Sequence, residues 1–141
     1  MENNLIDRIK ITKLPIISSD LGNVMHILKK SDNSFFNFGE VYISEIYFNK
    51  IKAWKQHQTM IMNLVVPIGK VKFVFYDTLL NKFREEIIGP SNYSRITVPP
   101  KIWFGFKGLS DQKNIIINVS NILHDPNEQL TAPQEKFKYD W

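Results

Sequence analysis

Residues 70–77 read Lys-Val-Lys-Phe-Val-Phe-Tyr-Asp, with the alternation that is typical of a half-buried β-strand. Side chains two residues apart lie on the same face of a strand, so Val71, Phe73 and Phe75 share one face, which we predict to be the core face. A corner at residues 67–69, Pro-Ile-Gly, precedes the stretch. The stretch therefore predicts one strand of a sheet that packs on a hydrophobic core.

Similar segments recur along the chain between turn signals. Strands are predicted over residues 9–14, 24–28, 40–48, 51–57, 60–66, 70–77, 83–88, 93–98, 102–106 and 114–120, with a loop over 29–37. Many short strands separated by turns are typical of a sandwich or a barrel. Ten Phe, five Tyr and three Trp also favour sheet, whereas the strongest helix former, alanine, occurs only at Ala53 and Ala132. We therefore predict one all-β domain over residues 1–141, with a polar carboxy-terminal tail from about residue 127.

Composition excludes several functional classes. The 141-residue chain has no cysteine, which excludes a disulfide scaffold, a cysteine nucleophile and thiolate zinc sites. Lys and Arg outnumber Asp and Glu by 18 to 14, but no run of five like charges occurs, and we expect no nucleic-acid partner. No apolar stretch reaches the roughly 18 residues of a membrane span, and the amino-terminal Met-Glu-Asn-Asn lacks a signal peptide's character. We expect a cytoplasmic protein with no membrane partner.

Residues 52–58, Lys-Ala-Trp-Lys-Gln-His-Gln, carry candidate chemistry within a predicted strand. In a regular strand Lys55 and His57 lie on one face, and Lys52 and Trp54 lie on the other. A cation beside an imidazole on the inner face of a barrel would form an acid–base pair. The alternative is that both side chains lie on the solvent face of an outer strand.

Residues 98–106, Val-Pro-Pro-Lys-Ile-Trp-Phe-Gly-Phe, form a second notable stretch, a proline corner followed by aromatic residues. Trp103, Phe104 and Phe106 could form the floor of a pocket and stack on a substrate. The alternative is that they belong to the core or to a dimer surface.

These stretches resemble the cupin-fold dTDP-4-dehydrorhamnose 3,5-epimerases and the related dTDP-sugar 3,4-ketoisomerases. The epimerase pattern Arg-Gly-Leu-His is matched by Lys-Ala-Trp-Lys at residues 52–55, and the ketoisomerase pattern Arg-Gly-x-His-x-His extends the match to His57. The epimerase pattern Ile-Pro-x-Gly-x-x-His-Gly-Phe is similar to residues 98–106, with Phe104 in place of histidine. The resemblance covers residues 10–126 and implies a cupin, a double-stranded β-helix of the jelly-roll type.

The resemblance also implies a site. The epimerase's base, a histidine, corresponds to Lys55, and its acid, a tyrosine on the last core strand, falls near Asn118. His57 matches the second histidine of the ketoisomerase pattern. We therefore predict His57 as the catalytic base and Lys55 as its electrostatic partner. The predicted substrate-binding residues are Lys52 or Arg95 for the diphosphate, together with Tyr42, Tyr76, Trp103 and Asn118.

Removing a proton next to a carbonyl needs a base whose pKa lies near the working pH, and the unperturbed pKa of histidine is about 6.5. A protonated Lys55 could stabilise the enolate oxygen or the sugar diphosphate. Tyr42, Tyr47 or Tyr76 could supply the acid, and the sequence does not choose between them.

The resemblance thus implies epimerisation or ketoisomerisation of a 4-keto-6-deoxy sugar nucleotide for surface polysaccharide synthesis, by a homodimer and without a cofactor. A metal-binding cupin would need a His-x-His pair, an acidic ligand and a third histidine, whereas this chain has Lys55 and Phe104 at two of those places. We therefore expect no metal. The alternative function is a non-catalytic cupin that binds a nucleotide sugar or a protein partner.

Overall fold

The computed structural model describes residues 4–141 and is built almost entirely of β-strands. The expectation that the amino terminus carries no signal peptide concerns residues 1–4 and lies largely outside this part of the chain. The strands are β1 Lys10–Lys13, β2 Ile16–Ile17, β3 Val24–Met25, β4 Glu40–Glu45, β5 Ile51–His57, β6 Met62–Ile68, β7 Val71–Asp77, β8 Lys82–Ile88, β9 Ser94–Val98, β10 Trp103–Gly108, β11 Ile115–Ser120 and β12 Gln129–Thr131. Short 3-10 helices cover Leu5–Arg8, Pro126–Glu128 and Gln134–Lys136.

Two antiparallel five-stranded sheets make up the domain. The first sheet has the order β1-β9-β6-β11-β4 and the second has the order β12-β5-β10-β7-β8, while β2 and β3 form a separate hairpin. Apart from the hairpin of β7 and β8, neighbouring strands within each sheet are far apart in the sequence, as in a jelly roll. The all-β jelly-roll prediction is therefore confirmed.

The core lies between the inner faces of the two sheets. Val71, Phe73 and Phe75 are fully buried there, so the predicted core face of β7 is correct. On β11 the alternating apolar residues lie on the outer face instead: Ile115, Ile117 and Val119 are partly exposed, whereas Asn118 is 2% exposed. The last core strand thus turns its polar residues inward.

The carboxy-terminal segment, which the composition predicts to be a polar tail from about residue 127, packs against the second sheet. Strand β12 pairs with β5, and the side chains that follow it pack around Trp54, which is 2% exposed. The ring centroid of Trp54 lies 5.4 Å from Trp141 and 5.7 Å from Phe137, and its indole Nε1 donates to the carbonyl of Gln134 at 2.9 Å. We call the connected aromatic side chains the tail cluster: Trp54, Tyr76, Phe83, Trp103, Phe137, Tyr139 and Trp141.

Candidate active site

A cavity of about 410 Å³ opens between the two sheets, within the usual size range of small-molecule sites. Its lining combines an apolar floor with polar walls and includes two lysines but no Asp or Glu. The lining residues are Tyr42, Ser44, Lys52, Ala53, Trp54, Lys55, His57, Met62, Leu64, Phe73, Phe104, Phe106, Ile116, Asn118, Thr131 and Ala132. Such a lining suits a ligand that has an apolar part and carries negative charge.

Strand β5 presents its functional residues through an irregularity. The register with β10 shifts so that Phe104 pairs with Lys55 and Gly105 pairs with Ala53, which leaves Trp54 without a partner on β10. An extra residue of this kind interrupts the alternation of side chains between the two faces. Lys52 therefore lines the cavity together with Lys55 and His57, contrary to the regular-strand expectation that it lies on the opposite face.

The imidazole of His57 is bound by Glu128, a residue that no motif in the sequence singles out. His57 is 5% exposed, and its Nδ1 forms a short hydrogen bond with the Oε1 of Glu128. The pairing of β12 with β5 brings His57 opposite Gln129 and so places the preceding Glu128 next to the ring. On its other side, the ring stacks on Phe104 with a centroid separation of 5.8 Å.

The carboxylate of Glu128 is itself held firmly. Its Oε2 accepts hydrogen bonds from the backbone N–H groups of Gln58, Thr59 and Met60 at 3.0, 3.1 and 3.3 Å. Burial alone would raise the pKa of Glu128, but the hydrogen bonds from His57 and from the backbone outweigh it, and the net shift is downward. Glu128 is therefore ionised at neutral pH.

These contacts determine the protonation state and the tautomer of His57. Burial lowers the pKa of His57, and the charge of Lys55 acts in the same direction, against the opposing effect of Glu128. The ring is therefore neutral at pH 7. Because a carboxylate can only accept, the single ring proton lies on Nδ1, which leaves the lone pair of Nε2 free to act as a base. No hydrogen bond within residues 4–141 engages Nε2.

The opposite wall carries a phenol. Tyr42 on β4 is the register partner of Asn118 on β11, and the side-chain Nδ2 of Asn118 donates to the Tyr42 hydroxyl at 2.9 Å. Burial raises the pKa of Tyr42, the hydrogen bond from Asn118 opposes this, and the charges of Glu40 and Glu128 add to it. Tyr42 is therefore a protonated hydroxyl at neutral pH and a possible proton donor.

Several known proteins are similar to this chain over most of its length. No protein-family model matches the chain. A probable low-salt glycan biosynthesis epimerase of Haloferax volcanii is 23% identical over 142 residues, which cover 96% of this chain and 89% of that protein. The spore coat polysaccharide biosynthesis protein SpsL of Bacillus subtilis is 26% identical over 137 residues, which cover 94% of this chain and 88% of that protein.

One solved structure is more similar still. The dTDP-sugar isomerase of Desulfovibrio desulfuricans is 30% identical and superposes with a TM-score of 0.91, covering 96% of this chain and 91% of that one. The chain belongs to the cupin-fold family of dTDP-sugar isomerases and epimerases. The cupin prediction is therefore confirmed, and the chain is an isomerase-type enzyme.

Within this family, the predicted site residues divide into two groups. The structure brings Lys52, Lys55, His57, Tyr42 and Asn118 together around the cavity. The assignment of His57 as base and Lys55 as its partner stays a prediction, as does the role of each lining residue. It is consistent with their shared cavity and with the influence of the Lys55 charge on the pKa of His57.

The other three predicted site residues lie elsewhere. Arg95 is 2% exposed outside the cavity lining, where its Nη1 donates to the carbonyl of Ile27 at 2.6 Å and to Asp32 at 3.3 Å. Tyr76 and Trp103 belong to the tail cluster, with ring centroids 4.6 and 5.4 Å from Phe137. In this fold Arg95 ties a loop to β9, and the two aromatic residues pack the carboxy-terminal segment.

A metal does not fit the site. The described residues, 4–141, contain no group of three or more His, Asp or Glu side chains that could hold a metal ion. Phe104 stacks on His57 where the family pattern has a histidine, and Lys55 offers a cation in place of a ligand. No helix within residues 4–141 is long and apolar enough to cross a membrane.

Proposed function

We propose that this enzyme epimerises a 4-keto-6-deoxy sugar nucleotide during the synthesis of a surface polysaccharide. The observation that carries the proposal is the placement of a neutral histidine and a protonated tyrosine on opposite walls of one cavity. His57 lies on the second sheet and Tyr42 lies on the first, and both line the space between. The names of the similar proteins, a glycan biosynthesis epimerase and a dTDP-sugar isomerase, support the same substrate class.

The proposed reaction begins at Nε2 of His57. This nitrogen removes the proton from a carbon next to the sugar carbonyl; the electron pair of the broken C–H bond forms a C=C bond, and the π electrons of the carbonyl move to its oxygen, which gives an enolate. Glu128 stabilises the imidazolium that forms, because its ionised carboxylate accepts a hydrogen bond from the Nδ1–H group. Lys55 lines the same cavity and supplies positive charge for the enolate oxygen.

The second half of the reaction returns a proton from the other side. Tyr42 donates its hydroxyl proton to the enolate carbon, a new C–H bond forms, the carbonyl is restored, and the phenolate is stabilised by the hydrogen bond from Asn118. Water then takes the proton from the His57 imidazolium and returns one to the phenolate, which restores both groups. Removal from one face and return to the opposite face inverts the carbon, which is epimerisation. A ketoisomerase must instead return the proton to the adjacent carbon, and the two-wall arrangement favours the first outcome.

The rest of the substrate accounts for the remaining lining residues. Lys52 is exposed, and its Nζ donates to the carbonyl of Glu45 at 3.2 Å, which leaves its charge available for the diphosphate. The apolar floor formed by Met62, Phe73 and Phe106 suits the methyl group of a 6-deoxy sugar better than a hydroxymethyl group.

We also propose that the enzyme is a cytoplasmic homodimer. Val41 and Ile43 on the edge strand β4 are 53% and 66% exposed, and the outward residues of β11 continue this apolar surface. Contiguous exposed apolar surface is typical of a protein interface. Light scattering at micromolar concentration should give twice the 16.6 kDa chain mass, and Ile43→Lys should reduce it. A monomeric wild-type protein would contradict the proposal.

Proton NMR in deuterated water with dTDP-4-keto-6-deoxyglucose tests the proposed reaction. We expect the wild-type protein to exchange a proton next to the ketone and to form a new sugar spin system. His57→Asn should lower both rates by about 10²- to 10⁴-fold, the usual contribution of a general base. His26→Asn is the matched control, because His26 lies outside the cavity lining. Full exchange and turnover in His57→Asn would overturn the assignment.

A further inference from the structure

We propose that Asn118 is a positioning residue that directs the hydroxyl proton of Tyr42 into the cavity. The resemblance to the epimerases implies that their acid tyrosine falls near Asn118. In this enzyme the phenol is that of Tyr42, which lies on the neighbouring strand β4. The inference rests on the proposed function and adds to it a residue that never needs to touch the reacting carbon.

The orientation of the Asn118 amide follows from its contacts. Its Oδ1 accepts the backbone N–H of Asn63 at 3.1 Å, and a backbone N–H can only donate. The other end of the amide must therefore be Nδ2, which faces Tyr42 at 2.9 Å. Because Asn118 is only 2% exposed, water does not compete for these two bonds.

This orientation determines the direction of the phenolic proton. The Tyr42 oxygen accepts from Nδ2 of Asn118, so its own O–H bond must point away from the amide. No acceptor within residues 4–141 receives that proton, and the side chain lines the cavity. The hydroxyl is thus available to donate to an atom of the bound ligand.

The same hydrogen bond also favours the product of the donation. When Tyr42 gives up its proton, the oxygen becomes negative, and a hydrogen bond from Nδ2 to a charged acceptor is stronger than one to a neutral acceptor. Glu40 and Glu128 have the opposite influence on the phenol, because both carboxylates disfavour a nearby negative charge. Asn118 therefore supports both the direction of the proton and its transfer.

Asn118→Asp is the most informative variant. One carboxylate oxygen can still accept the N–H of Asn63, while the other replaces Nδ2 with an acceptor that attracts the Tyr42 proton out of the cavity. Proton removal by His57 does not use Asn118. We therefore expect exchange next to the ketone to stay within about threefold of wild type, while product formation falls about 100-fold.

Two further measurements separate positioning from a purely structural role. Tyr42→Phe should show the same division between exchange and product formation, and the double variant should be no slower than Tyr42→Phe alone. Tyr47→Phe, at a 71% exposed tyrosine, is the matched control. Carbon-13 NMR of labelled tyrosine, assigned by Tyr42→Phe, should show a higher Tyr42 pKa in Asn118→Asp than in wild type, with no substrate present.

The outcomes distinguish the inference from the function on which it rests. An active wild-type enzyme with an equal loss of exchange and product formation in Asn118→Asp, or with no loss of either, would overturn the role of Asn118. An unchanged Tyr42 pKa in that variant would overturn it as well. A wild-type protein that neither exchanges nor converts the sugar would overturn the proposed function itself, and the positioning role with it.

Discussion

The two walls of the cavity hold their proposed catalytic groups in different ways. On one wall, His57 is bound by a carboxylate that lies 71 residues further along the chain. On the other, Tyr42 is held by Asn118, its register partner on the adjacent strand. The base therefore depends on the docking of the carboxy-terminal segment, whereas the proton donor depends on the register of one pair of strands. Changes in that segment should impair the first step of the reaction selectively.

Among the changes that test this difference between the two walls, Glu128→Gln should have the largest effect on the rate. In glutamine an NH₂ group replaces one carboxylate oxygen. That group would face either the backbone N–H groups that now donate to Oε2 or the Nδ1–H of His57, so that two donors would meet. We expect the rate of proton exchange to fall about 10- to 100-fold, since partners of this kind orient the reacting ring. Glu135→Gln is the matched control, because Glu135 is exposed beyond β12.

The pH dependence of Glu128→Gln sharpens the test. His57 acts as a base only when neutral, and its lowered pKa places the acidic limb of kcat/KM in the wild type below the ordinary value of 6.5. Glu128 opposes that lowering, so its removal should shift the limb to still lower pH. A limb that moves to higher pH would show that Glu128 does not act on His57 in this way.

Phe137→Ala should have a smaller effect, mainly on stability. Phe137 contacts Trp54, Tyr76 and Trp103 in the tail cluster, with ring centroids between 4.6 and 5.7 Å. Because Phe137 is half-buried, we expect a loss of about 2 kcal/mol in the free energy of unfolding, measured by chemical denaturation. Phe38→Ala, at a 59% exposed phenylalanine, should change it by less than about 0.5 kcal/mol. Equal losses in the two variants would mean that the tail cluster does not stabilise the fold.

The smallest expected effect is the pH dependence of stability. His57 and Glu128 both have lowered pKa values in the folded protein, so both bind fewer protons there than in the unfolded chain. Their contribution is present above the ordinary values of 6.5 and 4.5 and is lost as the pH falls through the folded values. Unfolding by urea should therefore become easier below pH 6.5, by at most about 1.4 kcal/mol per pH unit for each proton. His57→Asn should weaken the pH dependence of the free energy of unfolding that begins near pH 6.5. An unaltered slope in this variant would show that His57 does not contribute to that dependence.

Much of the fold followed from periodicity alone. The predicted strand over residues 51–57 has the same bounds as β5, and the core face of β7 is correct. Strand β12 was missed because its three residues, which follow Glu128, are too few to show an alternation of apolar and polar side chains. The predicted strand over residues 24–28 shortens to Val24–Met25, because only β2 is available to pair with it.

The sequence could predict only those site residues whose chemistry and whose position in a strand pattern both point to the cavity. Lys55 and His57 were accessible because a strand places alternate residues on one face. Glu128 was not, since its contact with His57 depends on how a distant segment docks, although Asp125 and Pro126 are a typical start of a short helix. The choice of Tyr42 over Tyr47 and Tyr76 also required the pairing of β4 with β11.

The stereochemical course of the reaction tests the opposite-wall arrangement most directly. Wild-type protein is incubated with dTDP-4-keto-6-deoxyglucose in deuterated water, and the configuration and deuterium content of the product carbons next to the ketone are read by proton NMR. We expect deuterium at a carbon whose configuration is inverted. A product in which every carbon next to the ketone keeps the configuration of the substrate, or one whose carbonyl has moved to the neighbouring carbon, would contradict the opposite-wall arrangement.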